Sequence, residues 1–176
     1  LRREFPHLII LGELFGEERM IKRTANSTGV NLLLGTPWEH KFVPELRSYL
    51  HYIHRMHNRM SFHVPVSSHD SGTVVEEFGS HAATAPRLVT SVLLGSGSTG
   101  MVQGIEYGEE KQIRFIGPPV EYRSRKTGDF RELVTALNEL HRDEAVFRRP
   151  GNVLFVDHHH VAIIAALRID PESGKP

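Results

Sequence analysis

The stretch SSHDSGT, residues 67–73, sets a histidine beside an aspartate among small hydroxyl side chains and a glycine. It follows a short apolar run, MSFHVPV, residues 60–66. An imidazole next to a carboxylate can hold hydroxyl groups or move a proton. Other acidic positions occur in similar settings. Glu13 follows the core of the apolar run HLIILGELF, residues 7–15, and Glu106 and Glu109 lie in GIEYGEE, residues 104–110. Carboxylates that converge on one rim suit acid/base chemistry or the binding of a cation or a polyol. Acidic residues after strands also serve as first-turn residues of the next helix, where the helix dipole favours them. Glu17, Glu18, Glu76 and Glu77 are assigned to that second role, and Glu13 and Asp70 to chemistry.

The elements that must position these residues follow from periodicity. The run 7–15 and VNLLLG, 30–35, read as strands buried on both faces, as in a parallel sheet. MSFHVPV reads as a third strand, and TGMVQGIEYG supplies a fourth over 99–105. Helical spacing occurs over 16–29, over 37–58 (Leu46, Leu50, Ile53), over 84–94 and over 129–144 (Leu133, Leu137, Leu140). The predicted order is therefore four parallel strand-helix units, which form half of a TIM-type barrel. NVLFVDHHHVAIIAALRI, 152–169, changes character and predicts a C-terminal β-hairpin. The expected division is an α/β part over 1–145 and the start of a β domain with a tail over 146–176.

Composition narrows the function classes. Lys plus Arg and Asp plus Glu both number 21 among 176 residues, so a phosphate-binding basic face is not expected and nucleic acid is excluded as the main partner. There is no cysteine, which removes disulfides and thiolate metal sites and favours the cytoplasm. No apolar run approaches the roughly 20 residues of a membrane span, so no membrane partner is expected. No cofactor motif is present.

LIILGELF, SFHVPVSSHDSGT and LVTSVLLGSGSTGMVQGIEYGEE stand in the order of three characteristic stretches of the α-amylase superfamily of glycoside hydrolases, which this chain resembles over most of residues 5–168. The flavour is that of the glucan maltosyltransferase branch. The resemblance implies the second half of a (β/α)8 catalytic barrel plus the opening strands of a C-terminal β domain, acting on an α-glucan or maltooligosaccharide. Glu13 then resembles the general acid/base. Asp70 resembles the carboxylate that holds substrate hydroxyls and stabilises the distorted sugar, and His69 its hydroxyl-binding neighbour. Glu106 and the single tryptophan, Trp38, become substrate-binding candidates, the latter by stacking on a sugar face. A general acid needs a raised pKa, which a half-buried glutamate near another carboxylate can have.

One departure bears on activity. The retaining mechanism needs a nucleophile about 5 Å from the acid, and the 12 residues before Glu13 contain no aspartate. The expectation is a fragment, inactive alone, that pairs with itself or with the missing half of the barrel. The alternative is a non-catalytic α/β carbohydrate-binding or regulatory domain.

The twelve histidines raise the question of a metal. His51, His54 and His57 drift around a helix, and His158, His159 and His160 are consecutive. The first set is expected on a solvated helix face and the second at a hairpin tip, with no metal site. The basic segment 121–130 is expected to be a solvated loop.

Overall fold

The computed structural model of the protein describes residues 3–112, 116–117, 128–170 and 172–176. Three short strands, β1 (Leu11–Gly12), β2 (Leu32–Leu34) and β3 (Ser61–His63), form a parallel sheet in the order β1-β2-β3. Leu11 pairs with Leu32, and Leu33 pairs with Phe62. Helix α1 (Glu18–Thr28) connects β1 to β2, and α2 (Val43–Arg55) connects β2 to β3. Helices α3 (Val74–Phe78), α4 (Thr84–Leu94), α5 (Arg131–Asp143) and α6 (Ala145–Arg148) follow. An antiparallel pair, β4 (Val153–Val156) and β5 (Ala165–Arg168), ends the fold.

The four predicted parallel strand-helix units are not what the chain forms. Among the described residues three parallel strands are present, and 99–105 is not a strand. The segment starts alongside β3, with a single parallel bridge between His63 and Ser98. Val64 and Val66 donate their N–H groups to the carbonyls of Ser98 and Gly100. The return bonds are missing because side chains have taken the acceptors of β3 and of Val64 just after it. Ser96 Oγ holds the Phe62 carbonyl at 2.5 Å, and the hydroxyls of Ser91 and Thr99 hold that of Val64 at 2.5 and 3.1 Å. Local hydroxyl bonds of this kind compete with a ladder. Gly104, at φ 107°, then turns the chain into a short 3-10 turn, Ile105–Tyr107.

The first strand also departs from its reading. It was expected to be buried on both faces, yet Leu8, Ile9 and Leu11 are exposed. It lies at the sheet edge, where no described element covers its outer side.

Two apolar clusters hold the body together. One joins Leu33, Phe62 and Val64 of the sheet region to Leu46, Leu50 and Ile53 of α2, with Ala25 from α1. The other joins Val66, Val74, Leu88, Val92, Ile105 and Leu137, so it ties α3, α4 and α5 to the turn after β3. The β4–β5 pair packs Phe155 against the first cluster. Arg168 fixes that pair to the body. Its Nε donates to the Leu93 carbonyl (2.7 Å) and its Nη2 to that of Gly95 (2.5 Å), at the C-terminus of α4. Its Nη1 reaches the Arg149 carbonyl (3.0 Å) and Asn152 Oδ1 (2.5 Å). The final carbonyls of a helix lack partners of their own and carry partial negative charge, so a guanidinium there is doubly favoured.

Among the described residues no helix is long and apolar enough to cross a membrane.

Candidate functional site

Parallel strands put the segments that follow them at one end of the sheet. Glu13 follows β1, Trp38 lies in the 3-10 turn Pro37–Glu39 after β2, and His69 and Asp70 follow β3. Glu106 lies in the 3-10 turn after the segment beside β3. Strand β2 separates β1 from β3, so those two strands are roughly 10 Å apart at the ordinary spacing.

The SSHDSGT segment is a loop bonded largely to itself. Ser68 Oγ accepts from the N–H groups of Asp70 (3.2 Å) and Ser71 (3.1 Å), and Ser71 Oγ accepts from Ser68 N–H (2.9 Å). The loop ends in a reciprocal cap on α3. Thr73 Oγ1 accepts from Glu76 N–H at 3.2 Å, and Glu76 Oε2 accepts from Thr73 N–H at 2.9 Å. Glu77 takes the Gly72 N–H at 3.0 Å. Glu76 and Glu77 therefore do the first-turn work expected of them. Glu17 and Glu18 likewise stand at the N-cap and the first turn of α1.

The cap locks the loop backbone and leaves His69 and Asp70 outside it. Their side chains are exposed and face each other, with Nε2 3.2 Å from Oδ2. Ser67 and Ser71 are buried. Gln112 Nε2 donates to the His69 carbonyl at 2.8 Å. A small recess beside the pair is lined by Ser68, His69, Gln103, Glu109, Lys111 and Gln112, among others. Of the residues expected at a sugar site only His69 lines it; Asp70, Glu13, Trp38 and Glu106 do not. Glu13 is exposed and not half-buried, and Trp38 is partly buried. Glu106 is used locally, since its Oε2 accepts from Gly104 N–H at 2.8 Å.

The second wall of the recess comes from 103–112. Gly108 anchors it at φ 69°, and a Cβ there would lie 2.4 Å from the Gly128 carbonyl oxygen. Phe130 N–H donates to the Glu106 carbonyl at 2.9 Å. Thr73 Oγ1 donates to the Glu110 carbonyl at 3.0 Å, joining this wall to the α3 cap. Sequence reasoning did not single out Gln103, Lys111 and Gln112. The glycines that bracket IEY were the available signal that the chain turns here and presents its neighbours. The basic segment 121–130 lies outside the described residues except for Gly128, Asp129 and Phe130.

The histidines of α2 need a correction. They were expected on a solvated face, but His54 is buried. Its Nε2–H donates to the Leu94 carbonyl at 2.8 Å, and its Nδ1 accepts from Gly151 N–H at 3.1 Å. Burial pushes its pKa down to about 4, against the smaller opposing effect of the Leu94 bond. His51 packs against Phe155 with ring centroids 4.0 Å apart and the rings tilted by 34°. The 151–155 segment covers this face, which the α2 pattern alone could not reveal. Among the described residues no group of three His, Asp or Glu side chains is arranged to hold a metal ion.

No family model matches the chain, and no curated protein matches it either.

Proposed function

We propose that the chain carries the acid/base side of a retaining glycoside hydrolase or transglycosidase that acts on α-glucans. Glu13 protonates the leaving glycosidic oxygen and later takes a proton from the acceptor, water or sugar. Asp70 holds substrate hydroxyls and stabilises the developing oxocarbenium charge, and His69 binds a hydroxyl beside it. Trp38 and Glu106 contact further parts of the glucan. The nucleophilic carboxylate comes from another segment, either a separate half of the enzyme or a second copy. The observation that supports this reading is the parallel order β1-β2-β3, with Glu13, Trp38 and the His69–Asp70 pair each following a successive strand.

A second reading, a carbohydrate-binding domain without catalysis, is favoured by two observations. Glu13 is exposed, and the recess beside His69 excludes it.

Maltoheptaose titrated into the labelled chain and followed by amide NMR tests both readings. Saturable shifts at Ser68–Ser71 and at Glu13 are expected, without release of reducing ends. Shifts confined to Ser68–Ser71 would favour the binding domain. Absence of any saturable shift at millimolar sugar would overturn both. Turnover by the chain alone would remove the need for an external nucleophile.

A further inference from the structure

A second cavity, of about 390 Å³, lies between α2 and the connection from β4 to β5, and it includes none of the residues discussed above as sugar-binding. Its walls are Val43 and Pro44 on one side and Val161 and Ile163 on the other. Between them stand Arg47 and the run His158–His160. We propose that this groove binds a small organic phosphate.

The argument rests on a surplus of donors. Arg47 Nη2 is used, on Asp157 Oδ1 at 2.6 Å and the Val156 carbonyl at 3.2 Å. Arg47 Nε is cut off from solvent with no hydrogen-bond partner among the described residues. His158 Nε2 is in the same condition. The tautomers follow from the backbone. His158 Nδ1 accepts from His160 N–H at 3.2 Å, and His160 Nδ1 accepts from Ala162 N–H at 3.2 Å. With Nδ1 used as the acceptor, each neutral ring carries its proton on Nε2. Arg47 and two imidazoles thus carry N–H groups beside the groove, those of Arg47 Nε and His158 Nε2 reached only after the side chains turn, while Asp157, the anionic side chain of its lining, is fully exposed and already paired. A buried N–H without an acceptor is unfavourable, and a group with several oxygens relieves it.

A phosphate suits this array because its three terminal oxygens can accept from a guanidinium fork and two imidazoles together. The cavity is far larger than a bare phosphate, and its apolar walls accommodate the organic remainder. The ligand competes with Asp157 for Arg47, and the His158 ring must turn, giving up its bond to His160 N–H, to bring its Nε2–H into the groove. The two side chains therefore work against each other: Arg47 favours binding and Asp157 opposes it.

The test is a titration of the full chain with glucose 6-phosphate, inorganic phosphate and glucose at constant ionic strength. Binding is read from the imidazole nitrogen resonances of His158 and His160, which also separates this groove from the sugar site. The phosphate ester should shift both signals saturably, inorganic phosphate should bind more weakly, and glucose should leave them unmoved. Arg47→Met should weaken ester binding at least tenfold, and Asp157→Asn should tighten it, with the circular dichroism of both variants unchanged. The proposal fails if the ester does not saturate these signals in the unsubstituted chain. It also fails if inorganic phosphate binds as tightly as the ester, or if Asp157→Asn weakens binding.

Discussion

Arg168 and Arg47 both tie the β4–β5 pair to the helical body, yet they do so in opposite ways. Arg168 is buried, with four acceptors between 2.5 and 3.0 Å, three of them backbone carbonyls. Burial pushes its pKa down to about 10, so it remains cationic at neutral pH. Arg47 keeps one carbonyl and one fully exposed carboxylate, and its Nε has no partner among the described residues. A guanidinium whose donors are satisfied inside the protein is cement. One whose donors are left over is a surface offered to something else. The same pair of elements thus has a permanent joint at one end and an open groove at the other.

Removing the joint should have the largest effect. Arg168→Met leaves the Leu93 and Gly95 carbonyls without donors and should cost about 3–5 kcal/mol in urea unfolding. A loss no larger than that of Arg47→Met would erase the distinction between the two arginines.

Acid should loosen the same joint next. His54 has a folded pKa of about 4, below its ordinary 6.5, so the unfolded chain binds the extra proton first. Its contribution is complete above pH 6.5, declines as pH falls, and is gone below about 4; by linkage it amounts to at most about 3 kcal/mol. Burial also lowers the pKa of His63 and His141, which adds to the loss with the same sign. Unfolding curves measured across this range should flatten in His54→Gln.

The α3 cap sets an intermediate scale. Thr73→Ala removes the reciprocal bond with Glu76 and should cost about 1 kcal/mol, read from the thermal midpoint. Arg47→Met should fall below that. Its ion pair is with a fully exposed carboxylate, which solvent screens.

Periodicity made the helices legible. Leu46, Leu50 and Ile53 on α2 are buried as their spacing requires; on α5 Leu137 is buried and Leu133 partly so, but Leu140 of the same expected face is exposed. The strands were harder. HLIILGELF is apolar enough to be a buried strand, but burial depends on what covers it, and that information is not local. The fourth strand failed for a different reason: Ser91, Ser96 and Thr99 satisfy the carbonyls of Phe62 and Val64 with hydroxyls, a competition that an apolar pattern does not register. At the candidate site, the capping glutamates were readable because caps are encoded within a few residues. The recess beside His69 was not, since Lys111 and Gln112 reach it only through the turns at Gly104 and Gly108.

The contact between Gly108 and Gly128 has an evolutionary reading. The backbone passes through this point twice, at two positions without side chains, and a Cβ at Gly108 would lie 2.4 Å from the Gly128 carbonyl oxygen. A lineage that keeps this wall of the recess is therefore expected to keep glycine at both positions, because a side chain at Gly108 would push the two passes of backbone apart.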